Sequence, residues 1–294
     1  MRGIIIKGIA GFYYVFTAGS GIWQCRARGI FRKDGRKPLV GDDVEIEITD
    51  PKDREASIQE IYPRRNELIR PAVANIDQAM ILFALASPDP DELLLDRFLV
   101  MMERQNVPTF ICFNKTDLDD GKAEERWKTV YESCGYEVIF CSAKEQNGLS
   151  DLCARLRGKV TVVAGPSGVG KSSITNLLSR SDIMEIGEIS RKLRRGKNTT
   201  RHSEMIPIDD DTVICDTPGF TSLYIPDMKK EELRFAYPEI ARHEGECRFS
   251  GCVHVSEPDC AVKDAVKDGT IDSGRYNSYV RLFRELEEME KRKY

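Results

Sequence analysis

No apolar run in this 294-residue chain is long enough to cross a bilayer; residues 79–86 are among the longest. The N-terminus offers only Ile4, Ile5 and Ile6 before Lys7 breaks the run, so a signal-peptide core is missing. Neither sign of charge dominates, since 44 basic and 48 acidic residues leave −4, and any nucleic-acid footprint must therefore be local. Internal repeats and low-complexity segments are also missing. Nine cysteines make an odd count without a secretory signal, which speaks against a disulfide framework and for a reduced, cytoplasmic protein. These absences exclude the membrane and secreted classes. A composition of 41% hydrophobic and 31% charged residues is that of a folded chain with a sizeable core.

Three stretches differ in rhythm. Residues 1–65 carry short β-branched and aromatic runs at 3–10, 13–17, 22–31, 44–49 and 56–62, punctuated by glycine and proline. Five short strands predict a small all-β barrel of the OB type. Residues 63–71 read as a linker. From 66 to 225, apolar strands at 78–85, 108–113, 137–142 and 159–164 alternate with helices at 91–105, 122–134, 148–157 and from Lys171 onward; strands at 203–208 and 212–216 follow. That alternation predicts an α/β domain around a parallel sheet. Residues 226–294 are helical and polar, with a Cys/His knot and an apolar stripe along 275–294 that reads as a packing face.

Gly165-Pro166-Ser167-Gly168-Val169-Gly170-Lys171-Ser172, followed by Ser173, is a complete G-x-x-x-x-G-K-S phosphate loop between an expected strand and an expected helix. Backbone N–H groups and the helix N-terminus would hold phosphate oxygens, Lys171 would reach the β- and γ-phosphates, and Ser172 would ligate Mg²⁺. The loop alone leaves a nucleotide kinase in play. Asn114-Lys115-Thr116-Asp117 chooses the base, because a carboxylate at Asp117 can accept both N1–H and N2–H of guanine and is left unpaired by adenine. Ser142-Ala143-Lys144 would complete that pocket, with the Ala143 N–H facing guanine O6.

Asp216-Thr-Pro-Gly219 ends an expected strand; Asp216 would hold Mg²⁺ through water and the Gly219 N–H would meet the γ-phosphate. Thr199 and Thr200 are both candidates for a switch threonine, and the pattern does not choose between them. The residue after this motif is Phe220, which cannot orient water, so unaided hydrolysis is expected to be slow; His202 is a candidate water-orienting group against the competing reading of a surface histidine. These elements stand in permuted order, base-reading motifs first and phosphate loop later, as a circularly permuted P-loop GTPase would have them.

Cys247, Cys252, His254 and Cys260 pack four ligand types into fourteen residues. Three thiolates and one imidazole close a tetrahedral shell, which predicts one structural Zn²⁺. The surrounding segment is expected to have little apolar core of its own and to depend on the metal for folding, but not for nucleotide binding. Two basic runs remain: Arg26, Arg28, Arg32, Lys33, Arg36 and Lys37 in the barrel, and residues 191–201 beside the switch threonines.

Together the barrel, NKTD, SAK, GPSGVGKS, DTPG and the Cys-Cys-His-Cys knot resemble the ribosome small subunit-dependent GTPase A family across essentially the whole chain. The segments 25–42, 196–202 and 247–260 resemble it too, although Asn198 stands where relatives often carry His. The resemblance implies a cytoplasmic, monomeric factor using GTP/GDP, Mg²⁺ and Zn²⁺. It also implies binding to the 30S subunit and 16S rRNA late in maturation, with ribosome-stimulated hydrolysis, and gives the barrel's basic run a role in RNA contact.

Overall fold

The computed structural model describes residues 1–27, 31, 37–69, 71–119, 121–179, 204–216 and 228–292. Arg28, Arg32, Lys33, Arg36, Thr199, Thr200, His202, Gly219 and Phe220 lie outside the described residues. By compactness the chain divides into two units, one within Met1–Ala79, Ser150–Ala164 and Lys171–Phe220, the other within Met80–Leu149, Gly165–Gly170 and Thr221–Tyr294.

The first unit opens with a closed barrel of β1 (Arg2–Ile9), β2 (Phe12–Thr17), β3 (Gly21–Ala27), β4 (Asp43–Asp50) and β5 (Glu55–Ile61). Its strand order is β1-β2-β3-β5-β4, with β4 returning to β1 and β3 pairing parallel to β5. Period-two alternation in β4 turns Val44 and Ile46 inward, where they meet Ile5, Val15, Trp23, Cys25 and Ile58. Residues 63–71 are not a free linker. Arg64 donates to both oxygens of the fully buried Asp42 at 2.6 and 2.8 Å, and β6 (Glu67–Leu68) pairs with β7 (Val73–Ala74). Two-residue strands leave no periodic signal, and the partner of Arg64 is 22 residues away.

A six-stranded sheet has the order β10-β9-β8-β11-β13-β12, from β8 (Gln78–Ala84), β9 (Thr109–Asn114), β10 (Glu137–Phe140), β11 (Val160–Ala164), β12 (Glu204–Pro207) and β13 (Val213–Asp216). Pairing is parallel between β9 and β10 and between β11 and β13, while the edge strand β12 runs antiparallel to β13. Every residue of β8 is buried, as its apolar run from Ala79 to Ala84 requires. The helices are α1 (Glu92–Arg104), α2 (Lys122–Cys134), α3 (Leu149–Leu156) and α4 (Lys171–Leu178). Asp91 starts α1 by accepting the Leu94 N–H at 3.0 Å.

In the second unit the chain continues through a 3₁₀ helix (Lys230–Ala236), α5 (Pro238–Ala241), α6 (Ala261–Lys267) and α7 (Ser273–Arg292). The expectation of little apolar core here is corrected. Cys252 and Cys260 sit in a buried cluster with Tyr237, Ile240, Tyr279, Leu282 and, from α1, Val100. These partners come from remote parts of the chain, which a window around the cysteines does not reveal.

Candidate nucleotide site and metal centre

The residues expected to read the base are brought together at the ends of β9 and β10. Asn114, 2% exposed, donates its Nδ2 to the Val169 carbonyl of the phosphate loop at 2.8 Å, and its Oδ1 accepts the Ala143 N–H at 3.0 Å. One carboxamide thus ties three loops. The Ala143 N–H, expected to face guanine O6, is engaged by Asn114. Lys115 adopts a left-handed backbone (φ 68°), and its ammonium donates to the Ser87 carbonyl.

Asp117 Oδ1 accepts the Ser142 hydroxyl at 2.6 Å, and Lys144 Nζ lies 3.3 Å from Oδ2. Ser142 Oγ in turn accepts the Glu145 N–H at 3.0 Å, which fixes the direction in which its hydroxyl donates. The Ser142 hydroxyl, seconded by Lys144, holds the Asp117 carboxyl below the usual carboxylate range. The pocket keeps an ionised acceptor in place.

The phosphate loop joins β11 to α4, and two of its glycines have no substitute. At Gly165 (φ +152°) a Cβ would lie 2.0 Å from the Leu82 carbonyl oxygen; at Gly170 (φ +100°) it would lie 2.2 Å from Asn114 Nδ2. Ser167 and Gly168 are exposed, Pro166 is half-buried and Val169 is buried. In the first unit, Lys171 opens α4 with Ser172 and Ser173 exposed beside it. Burial pushes the Lys171 ammonium below the ordinary lysine range, opposed by Asp216 at the end of β13. A hydroxyl at the helix start and a carboxylate whose charge is felt at Lys171 are the donor types a hard Mg²⁺ ion takes.

Cys247, Cys252, His254 and Cys260 place one ligand atom each within 4.8 Å of one another. The Cys247 and Cys260 sulfurs are 3.8 Å apart, and His254 Nδ1 lies 3.5 and 3.3 Å from them. Zn–S bonds of about 2.3 Å in a tetrahedron give edges of about 3.8 Å, so the donor set fits zinc through Nδ1. Glu257 shapes the loop by accepting the N–H groups of Val253, Val255 and Ser256, and Cys260 precedes the first turn of α6.

On the barrel, Arg26 at the end of β3 is exposed and stacks its guanidinium 4.9 Å from the Phe12 ring centre, and Lys37 is exposed. Sequence reading missed the buried group Asp96, Glu239 and Arg275, whose members lie up to 179 residues apart and carry no motif.

A family described as RsgA GTPase matches residues 61–226, and one described as RsgA N-terminal domain matches residues 2–56. The chain is 51% identical over 301 residues to the small ribosomal subunit biogenesis GTPase RsgA of Agathobacter rectalis, covering 99% of this chain and 100% of that one. It is 47% identical to the protein of the same name from Caldanaerobacter subterraneus, covering 100% and 98%. Among solved structures, YloQ, a circularly permuted GTPase, superposes with a TM-score of 0.79 at 39% identity, covering 98% and 95%. YjeQ from Thermotoga maritima also gives 0.79, at 34% identity, covering 97% and 98%. No described helix is long and apolar enough to cross a membrane. With the barrel, the permuted sheet and the Cys/His cluster in place, the chain belongs to the RsgA family of circularly permuted GTPases.

Proposed function

We propose that this chain hydrolyses GTP to GDP and phosphate while assisting late maturation of the 30S ribosomal subunit, as a cytoplasmic monomer. The names of its relatives supply the small-subunit connection. The observation that carries the choice of base is the Asp117 carboxylate, kept ionised by Ser142 and Lys144. It accepts guanine N1–H and N2–H, while Asn114, Lys115 and Thr116 shape the loop and Ser142 to Lys144 close the other side.

Gly165 to Gly170 wrap the phosphates with backbone N–H groups, Lys171 pairs with the β- and γ-oxygens, and Ser173 extends the helix start. Ser172 and, through water, Asp216 would hold Mg²⁺, which would supply charge neutralisation to the phosphates. Thr199 or Thr200 would contact Mg²⁺, and the Gly219 N–H would meet the γ-phosphate. Phe220 supplies no polar group, so water is oriented by His202 or by a group from the ribosome, and hydrolysis is ribosome-stimulated.

Three parts divide the work. Residues 1–65 contact 16S rRNA through Arg26, Arg28, Arg32, Lys33, Arg36 and Lys37, residues 66–225 carry the nucleotide, and residues 226–294 hold one structural zinc at Cys247, Cys252, His254 and Cys260. The test is nucleotide choice and activation together. Asp117→Asn should lower GTP affinity at least tenfold, the order of one lost bidentate contact, and favour xanthosine triphosphate. Adding 30S subunits should raise wild-type hydrolysis at least tenfold. Unchanged GTP affinity removes Asp117 from the pocket, and no stimulation at saturating 30S removes the ribosomal activation.

A further inference from the structure

The base-reading loops are carried by two helices that residues of the C-terminal segment grip. Helix α1 joins β8 to β9 and helix α2 joins β9 to β10, so between them they set the strands that end in Asn114 and lead to Ser142. Arg275 of α7 is 1% exposed. Its Nη1 donates to Asp96 of α1 and its Nε donates to Glu239 of α5 at 2.8 Å. Its guanidinium lies 5.3 Å from the ring centre of Tyr131 in α2 and 4.6 Å from that of Tyr237. Tyr131 OH donates to the same Asp96 oxygen at 2.9 Å.

A second arginine holds the far end of α2. Arg242 donates to the Ser133 and Cys134 carbonyls at 3.0 and 2.9 Å, in the last turn, where carbonyls lack partners within the helix and the dipole favours a cation. The other end of α2 leads straight back to the NKTD loop, since Asp119 accepts the N–H groups of Gly121 and Ala123 at 2.9 and 3.3 Å. Buried ion pairs contribute little net stability over apolar packing, but they fix one arrangement, because any other leaves a charge unpaired.

We propose that Arg275 and Arg242 are positioning residues for guanine discrimination. They lock α2 against α1, so that the Asp117 carboxylate keeps its alignment with the two N–H donors of the base. The proposal rests on the reading of Asp117 as the guanine acceptor. Phosphate binding uses the loop backbone and Lys171, and the loop backbone is joined to the base loops through Asn114 rather than through α2. A tilt of α2 therefore weakens the base contact more than the phosphate contact.

The experiment compares GDP with inosine diphosphate, which keeps N1–H and O6 but lacks the 2-amino group. Affinities are measured on the full chain for wild type, Arg242→Ala and Arg275→Lys, with thermal midpoint and zinc content as controls. Wild type should prefer GDP. Each variant should cut the GDP-to-IDP affinity ratio by about two- to thirtyfold, the range seen for residues coupled to a site without touching its ligand, and IDP affinity should move less than the ratio does. Equal losses for both nucleotides, or an unchanged ratio in folded protein, overturns the positioning role. Arg242 lies at the surface, so Arg242→Ala decides the matter if Arg275→Lys does not fold. A wild type that binds GDP and IDP alike overturns the guanine reading itself, an outcome distinct from failure of the two arginines.

Discussion

The Ser142 hydroxyl donates to the Asp117 carboxylate at 2.6 Å across 25 residues of sequence, so the loop after β9 is tied to the loop after β10. A carboxylate oriented by a protein hydroxyl lowers the ordering cost of any donor it accepts from.

This pairing sets a pH dependence. A carboxyl whose pKa is lowered in the folded protein contributes above the ordinary carboxylate range and loses that contribution as pH falls through the lowered value. The GDP-to-IDP affinity ratio of the wild type, in which phosphate titration cancels, should therefore stay flat from about pH 7 to pH 5 and fall only below about pH 4. In Ser142→Ala the fall should begin at higher pH, with affinity at neutral pH reduced about tenfold, the worth of one hydrogen bond to a charged group. Titration calorimetry across pH checks it; superimposable profiles would refute the role of Ser142.

Lys171 should behave in the opposite sense. Burial lowers its pKa, so a fraction of the amine loses its proton below the ordinary lysine range. Bound polyphosphate favours the ammonium and draws that proton back. Nucleotide binding near pH 9 should take up protons, seen as binding heats that vary with the ionisation enthalpy of the buffer. Lys171→Met should abolish the uptake and weaken binding by more than tenfold.

The zinc centre predicts one metal per chain, measured by elemental analysis of protein purified without chelator. Cys252→Ser should lose the metal and loosen α6 and the loop before it, visible as faster hydrogen exchange there. Because Val100 of α1 shares the core with Cys252 and Cys260, the loss should spread to α1. Exchange confined to residues 247–267 would refute the spread.

For the barrel, replacing Arg28, Arg32, Lys33 and Arg36 by alanine should reduce 30S stimulation at subsaturating subunit and leave the basal rate unchanged. The 30S affinity should fall steeply with salt, and the variant's salt slope should be shallower, as each lost phosphate contact releases fewer counterions. Equal loss of basal and stimulated rates would mean that the segment supports folding.

What sequence disclosed follows from how local each device is. The phosphate loop, NKTD, SAK and the Cys/His knot are contiguous because a loop that wraps phosphate, or a shell that wraps zinc, must be built from neighbours. Their order alone revealed the permutation, and the apolar strand 78–85 was legible because a central strand is buried on both faces. Asp96, Glu239 and Arg275 were not, since each alone is an ordinary charged residue on a helix. Arg64 in a stretch read as linker hid its pairing with Asp42 for the same reason.

The permuted order also sets a schedule for synthesis. By residue 150 a growing chain has made both base-reading loops, but Asp96 still waits for Arg275, 179 positions further along. A truncated product, or one stalled before α7, carries the motifs of guanine recognition with Asp96 lacking its cation. The part of the pocket translated first is the part finished last, so tight base reading becomes a property of molecules translated through α7.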